Sequence, residues 1–497
     1  MKKGDRSRFL FFALVLAVFI SAVPKAWSSY AFYVGKDLTT DGSVIIGGTG
    51  EEVSSHWLEI VPRRTHPKGS TIKVGVTEKA NLPGRLIEIP QAAVTWRYAA
   101  MNYTDYKGFP PPLCNGGMNE HFVAARDVWR TSRRELIEMT PNPQEGPNYS
   151  DLSRIVMERA RTAREAVEIV GELIEHHGYS SYGGNSHLFA DPREGWILIE
   201  AAGGKGIWVA ERLGSDEVRV LYPGYIGEVP LDYQRDPNYM GSDELISFAV
   251  KKGWFDPQGK ESFNFHKVYC SQEQDMRRPG IKYVDPATLE QDLLRYAPEI
   301  NIAHMMAAVR DYRICDDEAG YGQVAHLKRG IPPELATLWV APTGSIASPF
   351  IPLHLGCERV PAEFAQHRYL TKDAGKTFLS KDYQAQEATL FAGRLYKRLM
   401  YHVCEYPDLY LPEITQSFEA FEKRSFQSLQ RVHSIARVLR EAKRKDLLHS
   451  YLTERFRIKC KESLDLGKAL LESIEARIRL QYGIRRPKGE EINERAI

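Results

Sequence analysis

The chain is short of cysteine. It has six in 497 residues, Cys114, Cys270, Cys315, Cys357, Cys404 and Cys460, and no CxxC pair. So few in so long a chain do not make a disulfide-stapled small domain, and their scatter gives no metal or redox pattern. They read as small buried residues, of which export would permit a pair to join. Charge of one sign is also lacking. The 66 basic and 64 acidic side chains leave a formal +2, too little to gather nucleic acid. No apolar run reaches bilayer length. The longest, Phe9 to Val23, has 15 residues, about 22 Å of helix against a hydrocarbon core of about 30 Å. There is no Walker-type loop, HExxH or Gly-x-Ser-x-Gly elbow, and His56, His121 and His187 lack zinc spacing. No internal repeat or low-complexity tract is visible. What is present, 43% hydrophobic residues and 11% aromatic, is enough for a sizeable core and excludes a disordered or fibrous chain.

The N-terminus has the three parts of a secretory signal peptide. Lys2, Lys3, Arg6 and Arg8 precede the apolar run, and Ala26 and Ser28 suit the −3 and −1 positions of a cleavage site. Residues 1–28 are therefore expected to be removed after Ser28, giving an exported protein, periplasmic or extracellular. The leader takes five basic residues and one acidic residue with it, so the charge becomes −2. No lipobox-type cysteine follows the run, and no later stretch resembles a membrane span. No nucleic-acid partner and no membrane contact after cleavage are expected.

Local patterns fill in the rest. Tyr30–Gly35 and Val44–Gly50 read as two strands joined by the Asp41-Gly42 turn, a hairpin. Apolar residues from Ile155 to Ile174 recur near the helical period, with Ser150-Asp151 as a cap and Gly178 as a stop. Ser186–Ala190, Trp196–Glu200, Ile207–Ala210 and Val218–Leu221 read as a meander of short strands, and Thr337–Ala341 as a further strand. From about Tyr406 the chain carries 19 basic and 14 acidic residues. Leu429, Val432, Ile435 and Leu439 mark one helical face, and Leu466, Leu470, Ile474 and Ile478 another. The expected organisation is a body from 29 to 405 and a helical hairpin from 406 to 497 packed on it.

Cleavage after Ser28 would make Ser29 the first residue. Such a serine carries nucleophile and base together: the hydroxyl attacks, and the α-amine, with an ordinary pKa of about 7.7–8.0, takes its proton. From this point the sequence resembles the dipeptidase A family of N-terminal nucleophile hydrolases. Ser29-Tyr30-Ala31-Phe32-Tyr33-Val34-Gly35-Lys36 and Asp41-Gly42-Ser43 resemble its opening. Gly117-Met118-Asn119-Glu120, Glu158-Arg159-Ala160, Thr162-Ala163-Arg164-Glu165-Ala166, Asp191-Pro192 with Glu194-Gly195-Trp196, Gly253-Trp254-Phe255-Asp256-Pro257 and Leu338-Trp339-Val340-Ala341-Pro342 follow in the same order. The resemblance implies an α+β fold, an αββα sandwich, to which the tail adds a C-terminal helical extension.

The resemblance also implies site residues. Ser29 stands where the family has its nucleophilic cysteine. Asn119 and Asn185 take the places of two active-site asparagines in the related choloylglycine hydrolases. There an amide NH2 would stabilise a tetrahedral oxyanion by about 3–4 kcal/mol. Glu51 stands at an acidic position and could hold the α-ammonium. Gly48 stands where the family has an arginine, so Gly47, Gly48 and Gly50 are expected to leave room beside Ser29. Val309-Arg310-Asp311-Tyr312 partly resembles another arginine-containing motif. The implied activity is amide hydrolysis through an acyl-Ser29 ester, on a small peptide, with no metal or organic cofactor. An N-acyl amide acylase or acyltransferase, and a catalytically dead binding protein on the same scaffold, are the alternatives.

Overall fold

The computed structural model describes residues 29–50, 56–103, 107–222, 224–271, 284–316, 319–365 and 391–483. Two antiparallel sheets lie face to face. The first has six strands in the order Val218–Leu221, Ala31–Val34, Val44–Gly50, Tyr321–Leu327, Thr337–Ala341 and Ile351–His354. The second has nine. Its main path runs Tyr239–Gly241, Trp208–Leu213, Gly195–Glu200, Asn185–Ala190, Ala124–Trp129, Gly116–Asn119, Tyr98–Tyr103 and His56–Val61, with Leu113–Cys114 paired beside Tyr98–Tyr103.

The hairpin forms where the local pattern places it. Ala31 pairs with Gly48 and Val34 with Ile45. Gly42 takes φ 69°, which its missing Cβ permits. Asp41 accepts from the Ser43 amide at 3.2 Å and the Ser43 hydroxyl at 2.6 Å, and its other oxygen binds His326 at 3.0 Å and Lys328 at 2.9 Å. These bonds, that to His326 foremost, outweigh burial and hold its carboxyl well below the usual range.

Alternation then assigns each face. Ala31, Tyr33, Val44 and Ile46 join Ala124, Val128, Leu188 and Ile197 in the core between the sheets. Phe32, Val34 and Ile45 face outward onto Leu289, Leu293, Met305 and Val309, from the helices Pro286–Leu294 and Ile302–Val309. On the other side Phe189, Trp196 and Leu198 meet Ile155, Val156, Val167 and Val170, from the helices Tyr149–Arg159 and Ala163–His177. The layers are thus α, β, β, α.

Three local features differ from the sequence reading. The apolar stretch from 155 to 174 is two helices, because Ala160 turns extended and Thr162 caps the second one by accepting from the Glu165 amide. The first helix starts at Asn148, whose side chain forms a capping box with Asp151. Val218–Leu221 leaves the meander and crosses to the first sheet, where Leu221 pairs with Ala31. In the tail, the long helices Pro407–Glu441 and Lys445–Tyr482 pack with a third, Ala392–Glu405. Val432 is buried, but Ile435 is 40% exposed, and Phe418, Phe421 and Ala436 complete the packed face instead.

Candidate active site

Ser29 leads into the strand Ala31–Val34, which lies inside the first sheet with a partner on each side. Tyr30 is tied to the neighbouring strand: its amide donates to Thr49 Oγ1 at 3.1 Å, and the Thr49 amide donates to its carbonyl at 2.9 Å. Tyr30, Phe32 and Val34 face the helices. Ser29 therefore takes the opposite face, with Ala31 and Tyr33, between the sheets. It is 8% exposed.

The glycines beside it do not leave a void. A Cβ on Gly47 would lie 2.8 Å from both Met305 Sδ and Val309 Cγ2, on the helix side. A Cβ on Gly48 would lie 2.6 Å from Arg126 Nε and 2.7 Å from the Tyr30 carbonyl oxygen. The room expected near Ser29 is filled, on the inner face by an arginine from the other sheet. Arg126 is fully buried. Its guanidinium donates to the Thr49 carbonyl and the Tyr321 hydroxyl, and lies 4.7 Å from the Tyr321 ring centre. Asp127 Oδ1 is 4.0 Å from Nη1. Gln323, paired with Gly48, donates to the Ala125 carbonyl at 3.1 Å and so joins the two sheets at the same level. Arg126, Tyr321 and Gln323 were missed by sequence reasoning. The available signal was an arginine inside Ala124-Ala125-Arg126-Asp127-Val128-Trp129, at a position where alternation calls for an apolar side chain.

The structure does not bring the two asparagines to Ser29. Met118 and Leu188 belong to the core between the sheets. Asn119 and Asn185, adjacent and at odd spacing, face the helical layer instead. The Asn119 amide donates to the carbonyls of Ala160 at 2.8 Å and Met157 at 3.2 Å. Its oxygen accepts from the amides of His121 at 3.0 Å and Val123 at 3.1 Å. It closes the end of a helix and a tight turn. Asn185 accepts from Tyr182 Oη at 2.8 Å and donates to the Ser186 carbonyl at 3.2 Å, on the same outer face. Glu51 lies outside the described residues.

Other ionisable groups fall into place around this frame. His187 Nδ1 is 3.1 Å from Glu200 Oε1, and its Nε2 is 3.1 Å from Ser153 Oγ and 3.2 Å from the Tyr149 carbonyl. Burial would lower its pKa, but the Glu200 carboxylate and, secondarily, Asp127 raise it. Serine, histidine and glutamate here copy the order of a hydrolytic relay. All three side chains are fully buried under a helix, and they act as a structural hydrogen-bond network. Arg310 is a clamp: it grips Glu422 of the helical tail through both nitrogens and donates to the Ser345 carbonyl at 2.9 Å. Burial pushes the Cys114 and Cys357 thiols up to about 12, so neither offers a thiolate near neutral pH. Among the described residues no group of three His, Cys, Asp or Glu side chains could hold a metal ion.

The layers and the serine define a class: a two-sheet αββα protein whose candidate nucleophile stands at the end of an interior strand. The chain belongs to peptidase family C69, whose sequence profile matches residues 29–300. It is 28% identical over 272 residues to a probable dipeptidase B of Streptococcus pyogenes serotype M3, covering 52% of this chain and 50% of that protein. With a probable dipeptidase of Salmonella dublin it shares 26% identity over 267 residues, 53% of this chain and 58% of the relative. The match thus spans about half the length of these curated relatives. Among solved structures, a mutant of the conjugated bile acid hydrolase of Clostridium perfringens aligns over 69% of this chain and 100% of its own, with 11% identity and a TM-score of 0.31.

Proposed function

We propose that the protein is an exported dipeptidase-like amide hydrolase with an N-terminal serine nucleophile. The observation that carries this reading is the position of Ser29, at the start of an interior strand and on the inter-sheet face, in a chain of peptidase family C69. Removal of residues 1–28 would expose its α-amine. The hydroxyl proton passes to that amine as Oγ attacks the scissile carbonyl carbon. The resulting ammonium gives the proton to the leaving nitrogen, the C–N bond breaks, and an acyl-Ser29 ester remains. Water, deprotonated by the same amine, attacks the ester and releases the acid, and the serine regains its proton. Every proton is accounted for by the α-amine and water. Glu51, which follows Gly50 in the sequence, is the carboxylate proposed to hold the ammonium in place.

The test is hydrolysis of a dipeptide panel and an N-acyl amide panel by the mature protein and by Ser29→Ala. Loss of turnover by about 10³-fold or more is expected, as for other nucleophile deletions. Intact mass must show a chain that begins at Ser29. Equal turnover by both proteins would overturn the reading.

A further inference from the structure

We propose that Arg126 is the cation of the Ser29 site, and that it sets the pH at which the α-amine can act as a base. This rests on the reading of Ser29 as an amino-terminal nucleophile. The strand opposite Ser29 cannot carry a charged side chain on its inner face, because Gly48 has none and could not accept one. The same point in space, where a Gly48 Cβ would sit, is within 2.7 Å of both Arg126 Nε and the Tyr30 carbonyl oxygen. The guanidinium therefore reaches across the sandwich into the space beside the strand that follows Ser29. It continues to Thr49, whose carbonyl it binds, and Thr49 is hydrogen-bonded to Tyr30 on both sides. Gly48 and Arg126 form one device: the first sheet gives up a side chain so that the second can supply a cation.

The cation is held rigidly. Tyr321 receives one of its hydrogen bonds and stacks under it. Among the described residues the ionisable groups beside it include Asp127 and His56. Glu51, proposed above as the carboxylate that holds the ammonium, pulls the amine the other way. Asp127 Oδ1 is 4.0 Å from Nη1, although its strand position points to the opposite face. His56 packs on Tyr321 with ring centres 5.4 Å apart. A fixed positive charge in a buried setting disfavours a second one nearby, so an adjacent ammonium loses its proton more readily. The α-amine of Ser29 would then be neutral, and able to accept the hydroxyl proton, at a pH where an ordinary terminal amine is mostly charged. Arg126 acts through the amine and is a positioning residue, not a group that bonds to the reacting atoms.

The experiment titrates the α-amine directly in mature protein that begins at Ser29. The rate of its modification by an amine-selective aryl reagent is followed against pH, in the native and the denatured protein. The native amine is expected to titrate about one unit below the denatured one. In Arg126→Gln the native value should rise by about one unit, and in Arg126→Lys it should stay low. The acid limb of kcat/KM should move with it, which a purely structural role would not cause. A native amine that titrates at or above its denatured value overturns the proposal without any variant, even where Arg126→Gln fails to fold. An unchanged titration in folded Arg126→Gln overturns it too. A protein that shows the lowered amine but hydrolyses nothing would instead sink the hydrolase reading and leave the Arg126 assignment standing.

Discussion

Arg310 and Glu422 form a buried two-pronged ion pair between the body and the long tail helix Pro407–Glu441. The carboxylate also accepts from the Phe350 amide at 2.8 Å, so each oxygen is used. A pair of this kind is costly to break from one side, since the charge left behind keeps its burial and loses its partner. Glu422→Gln is expected to destabilise the protein by about 3–5 kcal/mol. The double change Arg310→Met with Glu422→Leu should cost clearly less. Denaturant midpoints of the wild type and the two variants check this; equal losses in both variants would mean that the charge pairing itself is immaterial.

A second contact between body and tail sets an acid limit. His354 Nε2 lies 3.1 Å from His433 Nε2, between the strand Ile351–His354 and the same tail helix. Burial, with the His433 charge added, lowers His354 to about 3, and burial, with the charges of Arg437 and His326 added, lowers His433 to about 4. Below an unfolded value of about 6.5 the unfolded chain binds more protons than the folded one. The stability the pair contributes is therefore complete above that pH and is lost as pH falls toward 4 and then 3. Thermal midpoints measured from pH 7 to 4 should fall, and His433→Phe should flatten that slope. A slope of equal size in the variant would place the acid sensitivity elsewhere.

His187 is expected to show the opposite sign. Its pKa is raised in the fold, so its ion pair with Glu200 stabilises fully below the unfolded value and the gain is lost as pH rises through the folded one. His187→Gln should remove a loss of stability seen on the alkaline side of about 6.5. Ser153→Ala, in the same network, should lower stability by about 1 kcal/mol and leave turnover within about twofold. A collapse of turnover in a stably folded Ser153→Ala would make this buried relay a working one.

Asn119 offers a test between scaffold and chemistry. As the bridge between Met157, Ala160, His121 and Val123, it should cost about 2–4 kcal/mol when changed to alanine, with kcat of the folded fraction nearly unchanged. Loss of an oxyanion donor would instead lower kcat by about 10²–10³-fold. Stability and kcat measured on one preparation separate the two.

The sequence was legible where the cause is local. The Asp41-Gly42 turn and the alternation of Ala31 to Val34 need only neighbours to be read, and they place Ser29 on a strand end. Gly48 was legible as a departure but not as a device, because what fills its space comes from Arg126, and that arginine's bond to Thr49 spans 77 residues. The faces on which the asparagines stand were not legible for a related reason. Met118-Asn119-Glu120 and Gly184-Asn185-Ser186 look alike on either face of a sheet, and only the register shows that Met118 takes the inner side and Asn119 the outer. Arg310 could be singled out from a motif, yet its partner Glu422 lies 112 residues on, in a helix with no motif of its own.

The first sheet sets an assembly order. Ala31–Val34 is flanked by Val44–Gly50 and by Val218–Leu221, and the next strand in the sheet is Tyr321–Leu327. A hairpin can form early, but both its open edges wait for strands made much later, and such distant pairings close slowly. The serine end of the chain is thus held in its final surroundings only after more than half of the protein has been made. An incomplete or truncated chain would keep the hairpin and lose the site.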